Sequence, residues 1–334
     1  MCSPEKKQNL PALTLKFLQL RIDSIISTQN LYIGYADNNG CTTLFEDLNI
    51  ELKKNSLTCF MGPNGIGKSS LIRTLAGLQK PLSGSSTSLG EKDVALVLTD
   101  KINAANMRVI DLVSYGRYPH VNWNLNLTES DERVIVGSLN AAQISHLSDR
   151  NINELSDGQL QMVLIARALA QETAILFLDE PTAHLDLNNR MEIMSLLRKL
   201  AHENDKSILI ATHELDLALQ MADEVWLTTS DKKIKTGIPE DLVLDGSFDE
   251  VFQFKGFDLR TGKVQHIPYR NTKIKLIGEG SEYLWTKNSL EREGFAISDE
   301  GIPVEVKIEN KLQWKFRSTI YSSLNDLLID LKRL

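Results

Sequence analysis

The chain has 334 residues, with 37 Lys and Arg against 44 Asp and Glu, a formal net charge of -7. That length holds one core of about 200–250 residues plus a smaller unit, and the acidic balance argues against nucleic acid, whose binding surfaces show a basic excess or stripe. No apolar run approaches the roughly 20 residues of a membrane span, and Cys2, Cys41 and Cys59 lack metal or redox spacing, which points to a reducing, cytosolic setting.

Residues 1–24 mix Lys6, Lys7, Pro4 and Pro11 with a short apolar patch that lacks the length and cleavage site of a secretory signal; an N-terminal tail is expected. Residues 25–35 and 44–52 read as antiparallel strands around the Asn38-Asn39-Gly40 turn. Next, the apolar run Leu57-Thr58-Cys59-Phe60-Met61 leads into Gly62-Pro63-Asn64-Gly65-Ile66-Gly67-Lys68-Ser69, which fits G-x-x-x-x-G-K-[ST] at every specified position. A helix is predicted from Ser70 to Leu78, with Leu71, Ile72, Leu75 and Ala76 at helical spacing. Strand, glycine loop and helix together form a phosphate cradle. Backbone N–H groups and the helix N-terminus face a triphosphate, Lys68 reaches its outer phosphates, and the Ser69 hydroxyl can ligate Mg2+. A Ser- and Gly-rich loop at 81–90 precedes a buried strand at 94–98.

From residue 109 the pattern turns helical: 109–115, then 129–142 behind a Thr128-x-x-Asp131 start, then a short piece near His146. Between these helices lies Gly116-Arg117-Tyr118-Pro119-His120, with Trp123 nearby, a stretch that composition alone reads equally well as a solvated loop. Leu155-Ser156-Asp157-Gly158-Gln159 opens a helix through Ala170, with Ser156 and Gln159 in capping-box positions. The all-apolar strand 174–178 ends in Asp179-Glu180, and two acids at the carboxyl end of a buried parallel strand are costly unless they serve a ligand. Asp179 suits a hold on Mg2+, and Glu180 suits taking a proton from an attacking water or orienting it. Thr182-Ala183-His184-Leu185-Asp186, a helix at 188–203 and a buried strand at 207–211 follow, the strand ending at Thr212-His213-Glu214. A helix at 214–221, a hairpin of 224–228 with 233–236, and a short helix from Pro239 close this region.

Residues 272–334 read as a separate small α+β unit: strand 273–277, helix 281–293 ended by Gly294, strand 295–298, a hairpin of 304–308 with 312–316, and a last helix at 322–331. Val304, Val306 and Ile308 facing Leu312, Trp314 and Phe316 form its expected core face.

The ordered set Gly62 to Ser69, Leu155 to Gln159, Ile175 to Glu180, Ala183 to Asp186 and His213 resembles the ATPase subunit of an ABC transporter, over residues 25–258. The resemblance implies an α/β P-loop ABC-ATPase core, built of a mixed sheet, an antiparallel β subdomain and a helical insertion at about 100–160. It implies ATP and Mg2+ as ligands, with Tyr35 stacking on adenine, Gly62, Pro63, Asn64, Gly65, Ile66, Gly67, Lys68, Ser69 and Ser70 around the phosphates, and His213 at the γ-phosphate. Two copies are expected head to tail, Ser156, Gly158 and Gln159 of one closing over the ATP held by Lys68 of the other, with Asp186 in the loop between them. The implied partners are a transmembrane permease and, indirectly, a periplasmic substrate-binding protein, which puts the chain on the cytoplasmic face of the membrane. Val113-Ser114-Tyr115-Gly116-Arg117-Tyr118-Pro119-His120 is similar to the loop in importers of iron chelates, haem and cobalamin. Two departures stand out: Asp157 replaces the usual Gly, and Thr99-Asp100 replaces the usual Gln, with Thr99 the expected Mg2+ ligand beside Ser69 and Asp179. The alternatives are a soluble ABC-type ATPase acting on DNA or ribosomes, and a nucleotide-binding regulator that no longer hydrolyses.

Overall fold

The computed structural model describes residues 23–37, 40–90, 92–98, 106–121, 126–254, 256–260, 262–264, 266–308 and 311–334. The chain divides into two compact units, the first ending at Gln253 and the second running Phe254–Leu334. In chain order the first contains β1 (Ser24–Asp37), β2 (Gly40–Leu48), β3 (Glu51–Lys53), β4 (Leu57–Met61), α1 (Lys68–Leu75), β5 (Ser83–Ser86), β6 (Val94–Val97), α2 (Val109–Ser114), α3 (Glu129–Ala141), α4 (Asp157–Leu169), β7 (Ile175–Asp179), α5 (Leu187–Glu203), β8 (Ser207–Ala211), α6 (Leu215–Met221), β9 (Glu224–Thr228), β10 (Ile234–Gly237), α7 (Pro239–Leu244) and α8 (Ser247–Phe252).

The apolar runs β4, β7 and β8 are buried at every residue, as strands covered on both faces must be. They lie side by side in a six-stranded sheet of order β10-β9-β4-β8-β7-β6, parallel except for β10. Register decides the site. Ala211 sits opposite both Phe60 and Asp179, so the chain leaves β4, β7 and β8 at one level, with Gly62, Glu180 and Thr212 next in sequence. That is the carboxyl-end crevice in which open α/β sheets hold ligands. The antiparallel sheet of β1, β2, β3 and β5 packs on the central one through a single apolar cluster that includes Ile33, Phe45, Phe60, Phe177 and Trp226.

Three local expectations need correction. The stretch 44–52 is two strands: β2 ends at Leu48, and after Asn49 and Ile50 β3 crosses to pair with Ser24–Ser27 at the start of β1. The Thr28 hydroxyl stitches this crossover, donating to the Leu48 carbonyl at 3.0 Å and accepting from the Ile50 N–H at 2.9 Å. Ser83–Ser86, read as loop, is β5, because the long β1 offers free backbone groups at Thr28, Gln29 and Tyr32 that need no side-chain signal. The chain after Pro239 forms two short helices, separated by Gly246 at φ +82°.

The second unit contains β11 (Phe257–Asp258), β12 (Lys263–Val264), β13 (Lys273–Ile277), α9 (Gly280–Arg292), β14 (Ala296–Ile297), β15 (Ile302–Ile308), β16 (Leu312–Phe316), β17 (Thr319–Tyr321) and α10 (Leu324–Leu331). Its five-stranded sheet has the order β14-β13-β15-β16-β17. Both helices contribute to its core, Leu290 from α9 and Leu327 and Leu331 from α10, packed with Ile274, Val304, Trp314 and Phe316. The buried Trp314 Nε1 donates to Thr286 Oγ1 at 2.8 Å. Ile308 departs from the expected core face: it pairs with Leu312 at the strand end, beyond this cluster, and is 63% exposed.

Candidate active site

Gly65 and Gly67 have φ of +79° and +109°, the left-handed region where a side chain is strained. Gly62 is a glycine for space instead: a Cβ there would stand 2.0 Å from Thr228 Oγ1. Lys68, the first residue of α1, is 6% exposed. Its ammonium curls back over the loop, donating to the Gly62 carbonyl at 3.0 Å and the Pro63 carbonyl at 3.3 Å, and lies 3.9 Å from Glu180 Oε1. Burial lowers the Lys68 pKa, and the charges of Glu180 and Asp179 oppose that shift.

Asp179 is buried at the end of β7, and its carboxylate accepts no hydrogen bond among the described residues; the cation it faces is Lys68. Half-buried Ser69 makes no side-chain hydrogen bond among them either. Two oxygen donors with open lone pairs suit a hard divalent cation. No group of three His, Cys, Asp or Glu that could hold a metal ion occurs among the described residues. Thr99, the third expected ligand, and Asp100 lie outside the described residues.

Glu180 has φ +48°, a strained value for a non-glycine residue, held by its N–H donating to the Ala211 carbonyl of β8 at 2.8 Å. This turns its carboxylate away from the strand toward two cations or potential cations: Lys68 at Oε1 and His213 Nδ1, 3.2 Å from Oε2. His213 stands between two glutamates, its Nε2 being 3.8 Å from Glu214 Oε1. Tyr35 is 53% exposed, available for ring stacking, and its hydroxyl hydrogen-bonds Ser70 Oγ.

Ser156 caps α4 as its sequence requires: Oγ accepts from the Gln159 N–H at 3.3 Å, and the Ser156 N–H donates to Gln159 Oε1 at 3.1 Å. Ser156 and Asp157 are exposed, while Gly158 is buried against Asn189, whose Cγ would be 2.8 Å from an added Cβ. Among the described residues no hydrogen bond or ion pair joins Ser156, Gly158 or Gln159 to the glycine loop of the same chain. Exposed Asp186 caps α5, its carboxylate taking both the N–H and the Nδ2 of Asn189 at 2.9 Å. Asn189 and Arg190 complete this region with Glu214 and went unread in sequence, since each looks like an ordinary polar helix residue; Glu214 reads there only as part of the polar end of its strand.

The stretch around Gly116 is not a solvated loop. Gly116 and Arg117 form a buried turn against the end of α4, where a Cβ on Gly116 would meet the Arg167 carbonyl at 2.2 Å. Arg117 reaches Asp131 Oδ1 at 2.8 Å, the Ala170 carbonyl at 2.7 Å and Glu172 Oε2 at 2.7 Å, and His120 Nε2 contacts the Gln171 carbonyl at 2.8 Å. The Thr128 hydroxyl and backbone N–H, with Arg117, hold the Asp131 carboxyl down at about 2. Tyr115 and Tyr118 stay exposed, their rings 5.0 Å apart.

Residues 45–183 match the family model described as ABC transporter, and residues 271–332 match that of the iron ABC transporter C-terminal domain. The chain is 35% identical over 271 residues to the ABC transporter ATP-binding protein MJ0873 of Methanocaldococcus jannaschii, spanning 77% of this chain and 92% of that one. The chain belongs to the ABC transporter ATP-binding family. It is therefore an ATP-binding cassette and an ATPase by class, and action on DNA or ribosomes is not favoured. The iron(3+)-hydroxamate import ATP-binding protein FhuC of Bacillus subtilis is 34% identical over 258 residues, 73% of this chain and 94% of the relative. The solved structure of cbiO1 from Clostridium perfringens, part of the ABC transporter complex cbiONQ, superposes with a TM-score of 0.59 at 28% identity, covering 68% of this chain and 95% of that one.

Proposed function

We propose that the protein is the ATP-hydrolysing subunit of an importer of an iron chelate, a siderophore or haem complex, or of cobalamin, working through a separate permease. The observation that carries this reading is the pairing, in one chain, of a Lys68–Glu180–His213 constellation with a C-terminal segment matching the iron transporter domain at 271–332. Similarity to an iron(3+)-hydroxamate import protein supports the same substrate class.

In this reading the γ-phosphate lies over the glycine loop, and Lys68 exchanges its carbonyl partners for phosphate oxygens. Glu180 takes the proton of the attacking water, and His213, now bound to Glu180, orients toward the γ-phosphate. Ser69, Asp179 and Thr99 would hold Mg2+, which supplies positive charge at the phosphates. The exposed cap of α4 in one copy closes over the nucleotide of the other, a helix N-terminus presented to an anion. Asp157 beside that cap brings a negative charge to the contact. The permease would be received near the exposed Tyr115–Tyr118 pair, between the core and the helical insertion. No helix among the described residues is long and apolar enough to cross a membrane. As the likeness to import ATP-binding proteins suggests, the protein would sit peripherally on the cytoplasmic face, with a substrate-binding protein engaging the permease from the other side.

Purification from membranes tests this. A polytopic permease should come down with the protein, and loss of the protein should abolish ATP-dependent uptake of a labelled ferric chelate or cobalamin. Normal uptake of these compounds, or recovery on DNA or ribosomes without a permease, would refute it.

A further inference from the structure

Two loops that flank Glu180 are tied together by a single side chain. Arg190, in the first turn of α5, donates from Nε to the Leu185 carbonyl at 2.6 Å and from Nη1 to Glu214 Oε2 at 2.8 Å. Leu185 and Asp186 belong to the loop after β7, whereas Glu214 follows His213 in the loop after β8. Glu214 is buried, and its N–H donates to Thr212 Oγ1 at 3.0 Å, so its carboxylate has little freedom to move away. Its second oxygen faces His213 Nε2 at 3.8 Å, and His213 reaches Glu180 through Nδ1.

Given ATP hydrolysis between two copies, the reading on which this inference rests, we propose that Arg190 and Glu214 are positioning residues. They lock the loop bearing Asp186 to the loop bearing His213, so that contact with the second copy and the placing of His213 against Glu180 are set together. A guanidinium presents Nε and Nη1 in fixed directions of one plane, so holding a carbonyl and a carboxylate at once fixes the spacing of the two loops. A lysine ammonium can serve either partner but not both with that geometry. Without Arg190, Glu214 would be a buried carboxylate whose one remaining basic partner among the described residues is His213, and it would compete with Glu180 for the imidazole. Lys68 and Asp179 lie on the Glu180 side. The Asp186 loop is braced on its other flank as well: Asn189 holds Asp186 through two hydrogen bonds while filling the space beside Gly158. One short segment thus touches the cap of α4 through Asn189 and the neighbour of His213 through Arg190.

The test compares Arg190→Ala, Arg190→Lys, Glu214→Gln and the exchange Arg190→Glu with Glu214→Arg in the full-length protein. Three quantities are read: ATP affinity at concentrations that keep the protein monomeric, kcat for phosphate release, and ATP-dependent dimer formation in a Glu180→Gln background. Misplacing catalytic groups by about 1 Å can cost about 100-fold, so Arg190→Ala and Glu214→Gln should lower kcat roughly 10- to 100-fold while monomer ATP affinity stays within about two-fold. The ATP-dependent dimer should weaken in step with kcat, and the lysine variant or the charge exchange should recover part of both. Parental kcat in both single variants would overturn the proposal, as would losses of ATP affinity and melting temperature that parallel the loss of kcat. A parental protein that neither binds nor hydrolyses ATP would instead overturn the functional reading itself, which separates the two failures.

Discussion

Replacing Arg117 with Met keeps most of the side-chain stem and removes the guanidinium. The Arg117 and Asp131 side chains are both buried, and Ala170 is fully buried, while Glu172 is half exposed. Breaking a buried ion pair by deleting one partner costs about 3–5 kcal/mol, and an orphaned buried carbonyl adds about 1–3 kcal/mol if nothing relaxes. The exposed Glu172 arm is worth about 0–1 kcal/mol. Two factors hold the total down: Asp131 keeps its bonds from Thr128, and the three contacts share one group, so their costs do not add. The expected loss is about 3–5 kcal/mol, which for a unit of this size is a drop of roughly 6–20 °C in Tm. Differential scanning calorimetry of the parental protein, Arg117→Met and Glu172→Gln measures it, the last variant shifting by about 1 kcal/mol or less. An Arg117→Met loss below about 1 kcal/mol, or a Glu172→Gln loss equal to it, would refute the assignment of the energy to the buried arm.

Glu180→Gln should retain ATP binding and lose turnover by roughly 100- to 10,000-fold, the range for removing a general base, whereas Lys68→Ala should lose nucleotide binding itself; phosphate release and equilibrium binding distinguish them. The Asp131 carboxyl has its folded pKa depressed from 3.8 to about 2, so its contribution to stability is complete above about pH 4 and is lost as pH falls toward 2. Acid unfolding followed by circular dichroism should therefore be less steep for Asp131→Asn in that window, and an unchanged profile would contradict the Thr128 and Arg117 bonds as its cause. Cys59 is buried, and burial, with the Asp223 charge adding, pushes its thiol up to about 12. A thiol reagent at neutral pH should modify the exposed Cys41 but reach Cys59 only after denaturation, as peptide mapping would show.

Sequence alone determined those parts of the protein whose physics is local. The glycine loop, the capping boxes at Thr128 and Ser156, the buried strands and the acids Asp179 and Glu180 each depend on residue types within a few positions of one another. Helical and strand periodicity, φ > 0 at glycine and an N-cap hydroxyl are all expressed over that range. The tertiary structure decided whatever needs a partner far along the chain. Ser83–Ser86 is a strand only because β1 runs beside it, and 44–52 divides because Thr28 holds both halves. Arg117 reads as a loop cation until Ala170 and Asp131 close around it, some fifty and fourteen residues away. Arg190 shows the same limit at the site: nothing local marks it, and it gains a role only where the parallel register of β7 and β8 brings the loop at Leu185 beside the loop at Glu214.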